Sequence, residues 1–393
     1  MTEIYTAYDS LKNFNGLIHR QPLFISKKLD VDSYHLTFLD TGGNPLGEDA
    51  PVPDFLSQLS DILQAINHNQ KTLLTIPGSW QKALFEYEMP GIDLIIEAND
   101  RSITKPASSH VSYAESAKSN NVGNGRTLLI DLEEFSENEI SENLPKWRQQ
   151  HPVLCALNVN AFSQFSLCQL HNIDLLQGFF YTLPDNSIDK KIAPAAQTLM
   201  ELLVKLQDPE VEVDELAEII NQDVALSYKL LRLINSAFFG LPREVGSTRQ
   251  AIVMLGQNKI KTWASLLCLS GLDDKPNELR TIAMIRGRMC ELLAKHYKGH
   301  ADVFFAAGLF STLDALMDKP LEVLLQDLPL SEELHSALLH KEGPAGSALN
   351  LVLNYERGNW SAIDYSVVSA DALLAAYLDA LYWAKELNLQ LND

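Results

Sequence analysis

The stretch Leu175–Pro184, LLQGFFYTLP, sets a glutamine between a leucine and a glycine, follows with Phe179, Phe180 and Tyr181, and stops at a proline. A short apolar run bounded by Gly and Pro suits a buried strand. Nothing about forming a strand calls for Gln177, so the residue is either the remnant of a ligand site or a polar group with a backbone partner. Runs of the same kind precede it: LIHRQPLFI (17–25), YHLTFLD (34–40), KTLLTIP (71–77), IDLIIEA (92–98), RTLLIDL (126–132) and VLCALNV (153–159). Helical patterns lie between some of them. PDFLSQLSDILQAI places Phe55, Leu59, Ile62, Leu63 and Ile66 on one face. The alternation predicts parallel βα units. Residues 101–125 read as a connector whose end, KSNNVGNG, is a flexible turn.

Beyond Pro184 the pattern changes. DNSIDKKIAP (185–194) is a polar connector, and the domain boundary is placed there, giving residues 1–187 and 188–393. From residue 195 onward the periodicity is helical. Asp214 and Asp223 are candidate N-caps, and STRQAIVMLG starts on Ser247 and ends on Gly256, an N-cap and C′ pair. The second domain is expected to be all-α.

Composition narrows the function classes. Asp and Glu number 51 against 31 Lys and Arg, a formal net charge of −20. Such a surface repels phosphate backbones and anionic lipid, which argues against nucleic-acid and membrane partners. KTWASL (261–266), with Lys259 and Lys261 in a loose helix-turn-helix pattern, does not outweigh that charge. Cys155, Cys168, Cys268 and Cys290 form no C-x-x-C pair and read as free thiols in a reducing compartment. No signal peptide and no run of 18 apolar residues is found, so the expected location is the cytoplasm. His296 and His300 have the spacing of a helical metal pair, but no Glu lies between them and Gly299 interrupts the helix.

Several of these pieces resemble known families. IDLLQGFFYTLP resembles the last strand region of EAL domains, which hydrolyse or sense cyclic di-GMP. RQPLFISKKLDVDSYHLTF resembles their opening strand pair, IDLIIEA the strand ending in a metal-binding Glu, and LLIDLEEF the strand ending in Asp-Asp-Phe. Residues 214–266, with Asn235-Ser236 and the AIVMLG helix, resemble HDOD domains. The resemblance implies an α/β domain derived from a TIM barrel, followed by an all-α HDOD domain. A (β/α)₈ barrel usually takes about 250 residues, so residues 1–187 are expected to form an abbreviated or incomplete one.

The resemblance also implies a site. An active EAL barrel holds two divalent cations with carboxylates and an Asn, and uses a Lys and a Gln beside the attacking water. Here the first Glu position falls on His35, the Asn on Thr75 and the Lys on Asn158. Glu97 and Gln177 keep their places, Glu133-Glu134 stand for the Asp-Asp pair, and the remaining Glu has no counterpart. Each longer Glu side chain moves its carboxylate by about the margin that octahedral Mg²⁺ coordination allows. HDOD domains resemble phosphohydrolases that have lost a His-Asp metal pair. In FFAAGLFSTLDALM, Ser311-Thr312 occupy that place and Ala315 that of a following Lys. Hydroxyls are poor metal ligands on their own.

The expected function is therefore non-catalytic signalling, without a cofactor, through contacts with other signalling proteins. Two alternatives stay open: a cyclic di-GMP sensor that does not cut its ligand, and a residual phosphodiesterase. Phe238, Phe239 and Leu241 are a candidate docking surface, with core packing as the competing role.

Overall fold

A computed structural model describes residues 11–67, 71–87, 94–97, 111–118, 125–185, 194–208, 210–236, 239–269, 275–326 and 328–392. Eight strands close into a barrel in chain order: β1 (Leu17–Ile25), β2 (Val31–Leu39), β3 (Lys71–Thr75), β4 (Leu94–Glu97), β5 (Val111–Ser116), β6 (Thr127–Asp131), β7 (Val153–Leu157) and β8 (Leu175–Gln177). β1 runs antiparallel to both neighbours, and every other pairing is parallel. The first unit is thus a hairpin, where parallel βα units were expected throughout. Residues 26–30 make a tight turn, with Leu29 at φ +57°, and a turn of that length can join only antiparallel strands.

The barrel is complete in strands. Among the described residues, helices follow β2 (Leu59–Asn67), β3 (Gly78–Leu84), β6 (Glu137–Gln150) and β7 (Phe162–Leu170). The strand missed in the sequence is β5, VSYAES: its Ser, Glu and Tyr content hides it among polar neighbours.

Leu23, Leu73, Ile95, Ala114, Leu129, Cys155 and Leu175 form one buried layer inside the barrel. Each large apolar member contributes about 1.5–3 kcal/mol by leaving water. Side chains alternate along a strand. The parallel strands therefore also direct Thr75, Glu97, Ser116, Asp131, Leu157 and Gln177 inward, at the ends where β3–β8 finish. In (β/α)₈ barrels this is the end that carries active sites.

The chain divides into two compact units. The first comprises residues 1–180 with Tyr355–Ile363 and Ser369–Ala375, and the second comprises the remainder. The boundary expected at residue 187 lies outside the described residues. The late segment belongs to the barrel unit through specific contacts. The Tyr355 hydroxyl donates to the Ile18 carbonyl (2.8 Å), His19 Nε2 pairs with the Glu356 carbonyl (2.9 Å), and the Trp360 ring meets the His19 ring edge-on at 5.4 Å.

The second unit is helical, and among its described residues no strand occurs. Ser247 caps the helix Thr248–Leu255 by accepting the Gln250 N–H (3.2 Å), and Gly256 ends it at φ +88°. Asp223 caps Val224–Ile234 through the Leu226 N–H (3.0 Å). Asp214 is not a cap: the helix begins at Val213, so Asp214 lies in its first turn, where a carboxylate still favours the helix dipole. Asn235 clamps a loop by donating to the Val245 carbonyl (2.9 Å) and accepting its N–H (2.7 Å).

Candidate functional site

The barrel mouth is a chain of polar groups spread over adjacent strands. Thr75 on β3 stands between His35 on β2 and Glu97 on β4. Its hydroxyl donates to Glu97 Oε2 (2.7 Å) and lies 2.8 Å from His35 Nε2. The Thr37 hydroxyl reaches the same ring nitrogen at 3.4 Å. If Thr75 gives its proton to Glu97, it is left to accept from His35, which places the imidazole proton on Nε2. His35 Nδ1 is then an acceptor, buried and without a hydrogen-bond partner. Burial pushes the His35 pKa down to about 4, with His19 adding a smaller repulsion. Burial also raises the Glu97 carboxyl above its usual range, against the Thr75 hydrogen bond. Enclosure therefore favours the neutral form of both groups.

A second cluster joins β6, β7 and β8. Asn158 follows β7 at φ +59°, and its Nδ2 donates to Asp131 Oδ1 (2.9 Å). Its backbone N–H donates to Gln177 Oε1 (3.0 Å), and the Val159 N–H donates to the Gln177 carbonyl (2.9 Å). Gln177, only 3% exposed, thus fastens the end of β8 to the end of β7. The glycine after it has its own reason. A Cβ on Gly178 would come within 2.1 Å of the Val159 carbonyl oxygen, so only glycine lets the two backbones pass.

The structure brings together His35, Thr75 and Glu97 in one cluster, and Asn158 and Gln177 in another. It does not place Glu133 or Glu134 in the mouth. β6 ends at Asp131, and both glutamates lie beyond it. The Glu133 N–H caps Asp131 Oδ1 (2.9 Å), and Glu134 forms an ion pair with Lys118 (2.7 Å). The residue that sequence reasoning missed is Asp131: the end of the apolar run TLLI, read with two-residue alternation, would have identified it. Glu115 on β5 faces the other way from Ser116 and accepts the Gly125 N–H (3.0 Å). Glu97 and Asp131 are therefore the carboxylates that the ends of β3–β8 direct inward. Among the described residues no three His, Cys, Asp or Glu side chains converge as a metal site, and the donor set does not fit two divalent cations.

In the helical unit Ser311 and Thr312 are tied to backbone. Ser311 Oγ donates to the Gly308 carbonyl (2.7 Å), and the Thr312 hydroxyl donates to the Leu309 carbonyl (2.9 Å). Arg286, 2% exposed, donates to the Ser311 carbonyl (3.3 Å) and hydroxyl (3.2 Å). His296 lies in the last turn of the helix Asn277–Tyr297, whereas His300 stands at the N-cap position of the next helix, so the two do not share a helical face. Lys261 is 8% exposed and donates to the Asp208 carbonyl, which leaves it unavailable to a DNA backbone.

Of the candidate docking residues, Phe238 lies outside the described residues. Phe239 and Leu241 are half-buried. Phe239 packs edge-on against Trp263 at 5.2 Å and borders a cavity of about 270 Å³ that Arg288, Phe305 and Trp383 also line. The sequence did not point to Val224 and Tyr228, one turn apart on one helix, which are 79% and 63% exposed. Cys155, Cys168, Cys268 and Cys290 are free thiols. No helix among the described residues is long and apolar enough to cross a membrane.

Residues 192–318 match the HDOD domain family, so the chain carries an HDOD domain there. The chain is 31% identical over 240 residues to a protein named cyclic di-GMP phosphodiesterase CdgJ, from Vibrio cholerae; the match covers 59% of this chain and 56% of that protein. It is 29% identical over 267 residues to the uncharacterized protein YuxH of Bacillus subtilis, covering 66% of this chain and 65% of YuxH. The chain therefore spans less than two thirds of the length of either relative. Among solved structures it is similar to a standalone EAL protein from Vibrio cholerae in its c-di-GMP-bound form, with a TM-score of 0.31 and 12% identity, covering 42% of this chain and 91% of that one.

Proposed function

We propose that this protein works in cyclic di-GMP-linked signalling as a non-catalytic scaffold, with the HDOD domain as the module that meets other signalling proteins. The observation that carries the reading is the inward face of three strands. The resemblance asks for carboxylates around two cations and a Lys beside the attacking water, and β5, which the sequence did not announce, is one more strand whose inward residues could supply them. By alternation the inward residues are Ser112, Ala114 and Ser116 on β5, Thr127, Leu129 and Asp131 on β6, and Val153, Cys155 and Leu157 on β7. Asp131 is the one carboxylate among them, and there is no lysine. Two-metal cleavage stabilises the attacking and leaving oxygens together, and losses within such a unit are not repaired one at a time. Gln177 also spends its side-chain oxygen on the Asn158 N–H.

The exposed Val224 and Tyr228 support the interaction role, since clustered apolar surface marks contact sites. A second reading, a sensor that binds cyclic di-GMP without cutting it, is favoured by the buried, unpartnered Nδ1 of His35.

The test is a hydrolysis assay with cyclic di-GMP and millimolar Mg²⁺ or Mn²⁺. The expected outcome is no linear dinucleotide above buffer, for the wild type and for His35→Glu alike. Product that grows with protein concentration and vanishes with chelator would overturn the reading. Titration calorimetry with the same nucleotide separates scaffold from sensor.

A further inference from the structure

The opposite end of the barrel holds a space of its own. A cavity of about 1210 Å³ is lined by the first residues of β3 to β8, six of the seven mutually parallel strands: Lys71, Leu94, Val111, Thr127, Val153 and Leu175. It therefore lies where the strands begin. It is large enough for an organic ligand, and apolar walls with a few polar groups are the usual make-up of such sites.

The polar groups at this end are not all satisfied by one another. Arg148 is paired with Asp174, and Lys71 stands 3.8 Å from Asp32. Arg126 and Lys27 line the same cavity, and among the described residues neither has an acidic partner. Tyr113 lines it too, and its hydroxyl is buried without a hydrogen-bond partner. Buried polar groups are almost always satisfied, so an orphan hydroxyl calls for an explanation. The register supplies a neighbour for it. Ala114 pairs with Thr127, so one residue back Tyr113 stands beside Arg126 on adjacent strands, and their side chains share a face. Leu94 and Val111 are paired in the same way on β4 and β5. A guanidinium and a phenol hydroxyl side by side, next to an apolar wall, match one chemistry. In a chain of net charge −20, this is a local excess of cation.

We propose that this end of the barrel binds a small amphipathic anion. The carboxylate or phosphate head is held by Arg126, with the Tyr113 hydroxyl beside it on the same outer face of the strands, and the apolar body lies along Leu94 and Val111. Arg is suited to the head because its planar fork donates two parallel hydrogen bonds to an oxyanion. The site is independent of the mouth and of the scaffold reading.

The test is titration calorimetry of the full chain with 1-naphthoate, 1-naphthyl phosphate, neutral 1-naphthol and inorganic phosphate. At least one naphthyl anion is expected to bind at least tenfold more tightly than 1-naphthol and than inorganic phosphate, and the preferred anion tells a carboxylate head from a phosphate one. Arg126→Gln should weaken that binding by about 10- to 100-fold, the usual worth of a hydrogen bond to a charged group. Tyr113→Phe removes one unpartnered oxygen, so it should fold as the parent does, checked by circular dichroism, and weaken binding about threefold to tenfold. Glu97→Gln, at the other end of the barrel, should leave binding unchanged. No measurable binding of either naphthyl anion, or binding that 1-naphthol matches and that Arg126→Gln and Tyr113→Phe leave untouched, overturns the proposal.

Discussion

Two places in this chain stand where the resemblances put metal ligands, and they differ in how charge is handled. In the helical unit Arg286 is a fixed, buried cation. It donates to Ser311, and it counters the burial that raises the pKa of Asp314. Among the described residues, the barrel mouth has no such cation against Glu97. There a carboxyl with a raised pKa and an imidazole with a depressed one share a threonine hydroxyl. One site is built around a permanent charge; at the other, burial favours the uncharged form of His35 and Glu97. The lesson is that losing a ligand residue does not define what replaces it; the surviving neighbours do.

The comparison breaks first at Arg286. Arg286→Ala should cost roughly 3 kcal/mol, because it strips a buried cation from Ser311 and leaves Asp314 with Lys341 as the remaining opposing charge. Urea unfolding of the full chain, followed by circular dichroism, measures it. A cost below about 1 kcal/mol would mean that the charge is not holding this site.

A smaller effect separates the mouth from the helical site by pH. His35 has a pKa near 4 in the folded chain against 6.5 ordinarily. The unfolded state thus binds more protons between those values, and stability is lost as pH falls from about 6.5 toward 4. Glu97 acts in the opposite direction. Its raised pKa makes the folded state hold the proton longer, so its contribution falls as pH rises through the range above the usual Glu value. His35→Gln should flatten the acid loss by about 1–2 kcal/mol, less than a fully enclosed group would give because the residue keeps some exposure. With the histidine gone, the opposite slope of Glu97 should emerge. Urea midpoints between pH 4.5 and 7.5 check both signs, and unchanged slopes would refute the neutral-mouth account.

The smallest effect sharpens the helical side. Ser311→Ala removes a hydroxyl that donates to Gly308 and accepts from Arg286, and should cost about 1 kcal/mol or less. Arg286 keeps the Ser311 carbonyl, so a loss as large as that of Arg286→Ala would show that the hydroxyl, not the charge, is the anchor.

Much of this arrangement was legible from residues alone. The strands with continuous apolar runs were found, because a strand buried on both faces announces itself. The helix Thr248–Leu255 was legible from Ser247 and Gly256, whose roles are local. His35, Thr75 and Glu97 were named in advance, and they meet as one cluster. What escaped shares a cause. β5 was passed over because VSYAES owes its place to the pairing Leu94↔Val111 through Glu97↔Ala114, not to its own hydrophobicity. Missing it drew attention to Glu133 and Glu134, and hid Asp131. The return of Tyr355–Ile363 to the barrel unit was equally unreadable. A tyrosine hydroxyl that seeks a carbonyl 337 residues earlier leaves no local trace.

That return has a consequence for how the protein is made. Phe180 and Tyr355 are consecutive members of the barrel unit, yet the ribosome must synthesise 174 residues between them. At about 5–20 residues per second this takes roughly 9–35 s. For that time the nascent barrel is without the Tyr355 hydroxyl on Ile18 and the Trp360 ring on His19. Translation that stalls or ends early in this interval would release a chain whose hairpin lacks both contacts.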